Sequence, residues 1–190
     1  FQMYGRRIEL EIYDGQGLLT AELTGGGQEA ASVDGLKAAT EHEAFADITA
    51  TSQPYAEALA DNRTIAFGPP YLSREWYGEH RPYAWSMLSD CSVVAEAASE
   101  YGLRRLIGKP AIFAGGDLRG ETRRMAVIAP NNVEYQRCAD AGLKVIDDAG
   151  ESIDLVTDYT LDLARIPNQA ISIASEIVRE DITTISCFCD

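Results

Sequence analysis

Apolar and polar residues alternate along the chain in blocks that predict strands and helices in turn. Residues 44–49 form a short apolar block, a polar turn follows, residues 53–61 place apolar side chains at helical spacing, and residues 64–67 form a second apolar block that a Gly-Pro-Pro sequence ends. Short apolar runs separated by an amphipathic segment are typical of a βαβ unit. The pattern therefore predicts two parallel strands joined by a helix.

The same alternation continues on both sides of this unit. The further predicted elements are strands at residues 7–13, 124–130, 153–159 and 182–189, and helices at residues 28–42, 91–101, 133–149 and 166–180. Residues 71–88 are irregular and rich in aromatic side chains, and Ser89-Asp90 can cap the helix that follows them. Strands that alternate with helices predict an α/β fold with parallel sheets and right-handed crossovers.

A glycine-rich segment at residues 115–120 interrupts this order. Such a segment is typical of a hinge or an exposed loop between domains. We therefore predict two lobes of parallel sheet flanked by helices, the first at residues 1–115 and the second at residues 116–190.

Composition excludes some functions. The 190 residues are 46% hydrophobic and 24% charged, as in ordinary globular proteins, and the formal net charge of -14 would repel a nucleic-acid backbone. Sequence signatures of nucleotide-binding loops, nucleophile elbows and zinc proteases do not occur. We expect no cofactor, no catalytic residues and no nucleic-acid partner.

The cysteines match no common metal-binding or redox spacing. Cys187 and Cys189 alternate as in a strand, so their sulfur atoms share one face, and buried core thiols are the favoured interpretation. Cys91 and Cys138 are isolated, and the two histidines lie far from Cys187 in sequence. We predict no metal site, and the cysteines leave the redox compartment undecided.

The turn between the first two blocks carries the best candidate site. Thr51 and Ser52 lie where a strand ends and a helix begins, and Pro54 suits the first helical turn. Hydroxyl groups and the amides of a helix N-terminus together favour an anionic ligand, such as a carboxylate or a phosphate. Simple capping of the helix by Thr51 or Ser52 is the alternative, and the two roles are compatible.

Several segments resemble, in the same order, the type I periplasmic solute-binding proteins of ABC importers, in particular the branch that binds leucine, other branched-chain amino acids and amides. RIELEIYDGQG is similar to that family's second strand, ITATSQPYAEAL to its ligand turn and third helix, and IAFGPP to its next strand. RMAVIAPNNVEYQRCADAG resembles the first strand and helix of its second lobe. DLVTDYTLDL and PNQAISIASEIVREDITTISCFCD resemble the strand, helix and strand that follow.

The resemblance implies roles for individual residues. Thr51 and Ser52 form the turn that would hold a ligand carboxylate, and Pro70 and Tyr71, after the next strand, would contact the ligand. Tyr135 on the second lobe would cover the ligand, and Phe188, after the last strand, would make a further contact. Trp85 and Ser86 would lie beside the cleft. Core packing is an equal alternative for Trp85 and is favoured for Phe188.

The resemblance also implies a function. The chain is expected to be a non-catalytic, extracytoplasmic component that binds a small carboxylate-bearing solute, such as an amino acid or an amide-like molecule, between two lobes and delivers it to the membrane subunits of an ABC transporter. The family has a strand and helix before the first matched strand and continues beyond the last one. The resemblance therefore implies an internal piece of a longer protein, in which the acidic residue that holds an amino group would follow Asp190.

Three alternatives stay open. The same fold serves in receptors that sense a ligand. An α/β enzyme acting on a small carboxylate could recruit Cys91, His80 or Asp190. A purely structural role is the third alternative, and unpaired sheet edges could then form a homodimer.

Overall fold

The computed structural model describes residues 2–17, 26–50 and 52–189. Its strands are β1 (Gln2–Met3), β2 (Arg6–Arg7), β3 (Ala46–Asp47), β4 (Ile65–Phe67), β5 (Ala84–Trp85), β6 (Met125–Pro130), β7 (Leu155–Tyr159) and β8 (Thr184–Cys187). Its α-helices are α1 (Gln28–Thr40), α2 (Gln53–Asp61), α3 (Arg74–Glu79), α4 (Cys91–Arg105), α5 (Val133–Asp148) and α6 (Ile166–Arg179). A single 3-10 turn covers Gly116–Leu118.

Two parallel sheets organise these elements. In the first sheet β4 lies between β3 and β5, and in the second β6 lies between β7 and β8. A helix connects each strand to the next in both sheets, so each new strand starts at the same end of the sheet as the one before it and runs parallel to it. The prediction of an α/β fold built from two parallel sheets with flanking helices is confirmed.

The strand predicted at residues 7–13 is wrong. Only Arg6–Arg7 forms a strand, and it pairs antiparallel with Gln2–Met3. The apolar side chains of the alternating segment are exposed, with Leu10 at 77% and Ile12 at 89%. Alternation marks a sequence that suits a strand, but a strand also needs a neighbour to accept its hydrogen bonds, and residues 8–15 have none in a described strand.

The core beside the first sheet is built from α2, α3 and the buried strand β4. Leu59, Leu72 and Ala66 are fully buried there, together with Trp76 and Tyr77. Helix α1 approaches α2 closely because a glycine lies at the contact. A Cβ atom on Gly35 would lie 2.7 Å from the carbonyl oxygen of Tyr55. Main chains can approach this closely only where no side chain intervenes.

The second sheet has its own core. All six residues of β6 are buried, and Val127 and Ala129 pack against Ala139 of α5, with Phe188 beside them. Helix α4 packs on α5 at Gly142, where a Cβ atom would meet the Ser99 hydroxyl oxygen at 2.8 Å. This packing favours placing α4 with the second lobe. The lobe boundary between residues 115 and 116 stays a prediction.

The cysteines form two disulfides, and the described chain has no free cysteine. Cys91 at the start of α4 is bonded to Cys138 of α5, and their Cα atoms are 5.5 Å apart. Cys187 is bonded to Cys189, with a Cα separation of 5.2 Å. Both separations lie in the usual range for disulfides. The interpretation of Cys187 and Cys189 as buried core thiols is therefore wrong, since both residues are also exposed.

A buried carboxylate of α1 binds the segment at residues 13–17. Asp34 is 3% exposed and accepts hydrogen bonds from the Tyr13 hydroxyl at 2.8 Å and from the backbone N–H groups of Gln16 and Gly17 at 2.5 and 2.6 Å. Burial alone would raise the pKa of Asp34, but these three donors lower it below its ordinary value of 3.8. The carboxylate form therefore holds this segment in place at neutral pH.

None of the described helices combines the length and the apolar character that a membrane span requires.

We expect the Asp34→Asn variant to lose about 1–3 kcal/mol of unfolding free energy at pH 7, because one acceptor oxygen becomes a donor. A carboxylate whose pKa is lowered by folding stabilises the protein above its unfolded pKa, and this contribution disappears as pH falls through the folded pKa. Urea unfolding from pH 7 to pH 3 should therefore show the two proteins converging at low pH. Asp148→Asn, which alters an exposed pair with Lys144, is the control and should change stability by less than about 0.5 kcal/mol. A constant difference at every pH would contradict the assignment.

We expect the double variant Cys91→Ala, Cys138→Ala to lose about 2–4 kcal/mol of unfolding free energy, because this disulfide closes a long loop, with a sequence separation of 47. Cys187→Ala, Cys189→Ala should lose less, since its bridge spans a separation of 2. Denaturant unfolding of both variants without reductant measures the two effects. Equal losses would show that the Cys91–Cys138 bridge does not stabilise the fold in this way.

Candidate ligand-binding site

The carboxyl ends of the first sheet's strands lie together at one edge. Strand β3 ends at Asp47, β4 ends at Phe67 and β5 ends at Trp85, and all three strands are parallel. Helix α2 begins beside this edge at Gln53, immediately after Ser52. Ligands of open α/β sheets bind at such carboxyl edges, where loops and helix N-termini converge.

The hydroxyl of Tyr71 lies at the N-terminus of α2. The backbone N–H of Gln53 donates to the Tyr71 hydroxyl oxygen at 2.9 Å. Ser52 is buried in an extended conformation, and its side chain makes no capping hydrogen bond in the part of the chain that the structure describes. Thr51 lies outside the described residues. Tyr71, which is distant in sequence, thus supplies the acceptor that was expected from the turn itself.

Tyr71 also meets the second sheet's helix. Its ring lies 5.8 Å from that of Tyr135 between centroids, at an interplanar angle of 12°. Tyr135 is the third residue of α5, so the contact joins the edge of the first sheet to the helix that follows β6. Both rings are half-buried. Stacked rings of this kind contribute more than their buried area alone.

A buried carboxylate links the segment after β4 to α5. One oxygen of Glu134 accepts from the Ser73 backbone N–H at 2.9 Å and from the Ser73 hydroxyl at 2.6 Å, and the other accepts from the Arg137 guanidinium at 2.9 Å. Glu134 is 1% exposed and Ser73 is fully buried. The Ser73 oxygen also accepts from the Trp76 backbone N–H at 3.1 Å and so caps α3. Both oxygens of the Glu134 carboxylate therefore have hydrogen-bond partners, as a buried charge requires.

Sequence reasoning missed this group. Ser73 precedes a residue pattern that suits a helix start, which is the only local signal. Nothing near Glu134 in the sequence indicates that its side chain is buried, because its partner Ser73 lies 61 residues earlier. The same helix makes a second link of this kind, from Arg137 to Glu79 of α3, at 3.3 Å.

The remaining predicted site residues are dispersed. Pro70 is exposed beside Tyr71, and Ser86 is half-buried at the end of β5, where it accepts from the Leu88 backbone N–H at 3.3 Å. Trp85 is 55% exposed and its indole N–H donates to the carbonyl oxygen of Pro82 at 2.7 Å. Phe188 packs in the second core and lines a cavity of about 260 Å³ between α4, α5 and the sheet. The structure therefore brings together Ser52, Tyr71 and Tyr135, while Phe188 lies in the packing position that was the favoured alternative.

The carboxylates beside this cluster are already engaged. Asp47 accepts from Thr49 through one oxygen and from the Tyr55 hydroxyl at 2.9 Å through the other. Burial, with the neighbouring charge of Asp47, raises the pKa of Tyr55 and keeps its hydroxyl protonated as a donor. Glu134 is engaged in the same way with Ser73 and Arg137. Neither carboxylate is placed to hold the ammonium group of a ligand.

Two of the three groups suggested for an enzyme, Cys91 and His80, are engaged in other contacts. The sulfur of Cys91 is bonded to Cys138, so it is not a free nucleophile. His80 stacks on Trp76 with centroids 4.2 Å apart, and its other contacts are the Trp76 carbonyl oxygen and Glu57. Asp190 lies outside the described residues. Over residues 2–17, 26–50 and 52–189, no three His, Cys, Asp or Glu side chains are grouped to hold a metal ion.

No protein-family model matches this sequence, and no curated protein sequence matches it. Solved structures do match. A periplasmic binding protein from Burkholderia mallei superposes with a TM-score of 0.62 at 9% identity, over 86% of this chain and 40% of that one. A solute-binding protein of an ABC transporter from R. palustris, in complex with 4-hydroxybenzoate, gives 0.62 at 12% identity, over 85% and 40%. An ABC transporter substrate-binding protein from Desulfitobacterium hafniense, in complex with Leu, gives 0.60 at 13% identity, over 97% and 48%.

The chain has the fold of the type I periplasmic solute-binding proteins of ABC transporters. The predicted family resemblance is confirmed at the level of fold, because identities of 9% to 13% support no closer statement. The chain spans less than half the length of these neighbours. In this periplasmic binding-protein fold, the cluster of Ser52, Tyr71 and Tyr135 joins the edge of one sheet to the first helix of the other.

We expect Glu134→Gln to lose about 1–3 kcal/mol of unfolding free energy, because the amide can satisfy either Ser73 or Arg137 but not both with acceptor oxygens. Glu100→Gln is the matched control, since Glu100 forms an exposed pair with Arg104 within α4 and its loss should cost less than about 0.5 kcal/mol. Urea unfolding at pH 7 measures both. A loss no larger than that of the control would mean that the buried carboxylate does not hold the two segments together.

Proposed function

We propose that the chain acts in an extracytoplasmic solute-binding protein of an ABC-type importer and binds a small carboxylate-bearing solute in the cleft between two lobes. The observation that carries this proposal is the position of Tyr71. Its hydroxyl lies on the first N–H of α2, and its ring stacks on Tyr135 from α5. One residue thus links a helix N-terminus at one sheet edge to an aromatic side chain of the other lobe.

The helix N-terminus favours a carboxylate. The first amides of α2 point out of the helix and carry a partial positive charge. At present one of them donates to the neutral oxygen of Tyr71. A ligand carboxylate is a stronger acceptor, so it can share or take this position and gain a charge-assisted hydrogen bond. Ser52 lies at the same turn, and we propose that its hydroxyl and that of Thr51, the residue before it in the sequence, take part.

The rings favour a solute with an apolar body. Tyr71 and Tyr135 offer aromatic surface beside the helix N-terminus, and Trp85 exposes a further ring at the same sheet edge. Asp47 and Glu134 are engaged with protein donors and do not call for an ammonium partner. Aromatic or aliphatic acids therefore suit the cluster at least as well as amino acids or amide-like solutes. Pro70 would contact the polar end of the ligand, Ser86 would lie beside the cleft, and Phe188 would act through packing.

Two observations support a location outside the cytoplasm. The fold is that of periplasmic binding proteins, and both cysteine pairs are disulfides, which persist in oxidising compartments. In this proposal the ligand increases the population of the closed state by adding contacts to the second lobe, and membrane subunits of the transporter accept that state. A receptor domain of the same fold would bind its ligand in the same way but would lack this transport partner. Homodimer formation through sheet edges stays a prediction from the sequence.

Binding of matched acid and amide pairs tests the proposal. We expect benzoate or leucine to bind the purified chain measurably by isothermal titration at pH 7. Benzamide and leucinamide, which keep the body of each ligand and lose its carboxylate, should bind at least about tenfold more weakly, the equivalent of one charge-assisted hydrogen bond. Equal affinity for acid and amide would contradict a carboxylate at the start of α2. Failure of all four to bind would remove the support for this choice of solute.

A variant pair tests the site. Tyr135→Ala should weaken binding of the acid about tenfold or more while leaving the fold intact, because it removes the cover from the second lobe. Tyr101→Ala is the control, since Tyr101 is 61% exposed on α4 and lies outside the cluster. Thermal unfolding without ligand confirms that both variants fold. Equal affinity in the two variants would show that Tyr135 does not contact the ligand.

A further inference from the structure

The two disulfides differ in their surroundings. Cys138 is 1% exposed and Cys91 is half-buried, between helices α4 and α5. Cys187 and Cys189 are both exposed. Along β8 and the residues after it, exposed and partly buried positions alternate, so Ile185 lies on the exposed face with the two cysteines and Phe188 packs on the side of the core. A thiol in solution therefore reaches the Cys187–Cys189 bridge more readily than the Cys91–Cys138 bridge.

The two bridges also differ in the number of residues between their cysteines. The Cys91–Cys138 bridge joins two helices across a separation of 47 residues, whereas Cys187 and Cys189 are two residues apart. The backbone around the second pair is held without its bridge, because the Phe188 N–H donates to the Ile128 carbonyl oxygen at 2.8 Å and Cys187 is paired with Ile128 in the sheet. Opening this bridge leaves those contacts in place. Opening the Cys91–Cys138 bridge removes a covalent link between two packed helices.

We propose that the Cys187–Cys189 pair is a site of reversible thiol–disulfide exchange with small thiols, and that the Cys91–Cys138 pair is not. Exposed disulfides exchange more readily than buried structural ones, since the attacking thiolate must reach a sulfur atom along the S–S axis. The pair lies at the carboxyl end of β8, at the same edge of the second sheet as the start of α5. This site is independent of the proposed solute binding.

The chemistry balances without any other oxidant. A small thiolate attacks one sulfur atom of the pair, a new S–S bond forms between them, and the bond between Cys187 and Cys189 breaks. The other cysteine leaves as a thiolate and takes a proton from water. A second small thiol can then attack the mixed disulfide, which releases the small-molecule disulfide and leaves two protein thiols. Alternatively, the freed cysteine attacks the mixed disulfide two residues away and restores the original bridge.

The charge of the chain selects the probe. A formal net charge of -14 lowers the local concentration of anionic thiols and raises that of cationic ones. Cysteamine, which carries an ammonium group, is therefore the suitable small thiol for testing the exchange. At pH 8 a sizeable fraction of a small thiol is in the reactive thiolate form.

The test follows both bridges in the folded chain. The protein is exposed to dilute cysteamine at pH 8, samples are taken over time, free thiols are trapped with N-ethylmaleimide, and peptides are identified by mass spectrometry. We expect cysteamine adducts or trapped thiols at Cys187 and Cys189 at least about tenfold sooner than at Cys91 and Cys138. Equal rates, faster opening of the buried bridge, or trapping of Cys187 and Cys189 before cysteamine is added would overturn the proposal.

Two variants separate exchange from unfolding. Cys189→Ser leaves Cys187 as a free thiol, so this variant is treated with cystamine, the disulfide of cysteamine. The Cys187 thiolate attacks one cystamine sulfur atom, a mixed disulfide forms, and one cysteamine leaves as a thiolate. This adduct should persist, whereas in the reduced parent chain treated in the same way the neighbouring Cys189 thiolate attacks it and expels cysteamine. Cys187→Ser, Cys189→Ser should abolish the fast reaction without changing the thermal midpoint by more than a few degrees. A fast reaction that survives in the second variant would assign it to Cys91 and Cys138 and contradict the proposal.

Discussion

The contact between Glu134 and Ser73 sets the geometry on which the candidate site depends. Ser73 follows Tyr71 by two residues, and Glu134 immediately precedes Tyr135. Two hydrogen bonds from Ser73 to one buried carboxylate oxygen therefore fix the relative position of the two tyrosines. A buried carboxylate is stable only when its hydrogen bonds are complete, so the two chain segments cannot shift independently without leaving one Glu134 oxygen without its donors. The ring stack follows from this constraint.

Around that contact, the fold places complementary chemistry at one sheet edge. A helix start offers N–H groups, a tyrosine oxygen accepts one of them, and that tyrosine's ring stacks on a ring from α5. None of these groups is unusual alone, and each satisfies an ordinary structural need. In the proposed function, the helix start would hold the anionic end of a solute and the rings would contact its apolar body. The core beside the first sheet is rich in alanines, and Gly35 and Gly142 allow α1 to approach α2 and α4 to approach α5 closely.

Local patterns predicted much of this fold. The helix at residues 53–61 was predicted with the bounds it has, Asp90 caps α4 as expected, and β6 is buried throughout. These features depend on neighbouring residues alone. The strand predicted at residues 7–13 failed because a strand also needs a partner, and the aromatic stretch at residues 71–88 hid α3 and β5, which are too short to show a period.

The candidate site was predictable only in part, for the same reason. The turn at Ser52 was recognisable because a strand, two hydroxyl residues and a helix follow one another in sequence. The role of Tyr71 as acceptor for Gln53, the burial of Glu134 and the pairing of the cysteines all join segments that lie far apart in the chain. A single sequence does not reveal which distant segments will meet. The family resemblance predicted Tyr71 and Tyr135 as ligand contacts, which stays a prediction, and it did not indicate the hydrogen bonds that position them.

Because Cys91 and Cys138 form a disulfide, the stability of this chain depends on whether the solution is oxidising or reducing, as well as on the sequence. The atoms of this disulfide lie against the segment that carries the site, with the Cys91 N–H donating to the Leu72 carbonyl oxygen at 3.2 Å. A bridge worth about 3 kcal/mol changes the ratio of folded to unfolded chains by roughly two orders of magnitude. In a reducing solution the same polypeptide opens far more often, and it acquires its full resistance to unfolding only after oxidation. The Cys91–Cys138 disulfide and the ordered arrangement of Tyr71 and Tyr135 would then form in the same oxidising compartment.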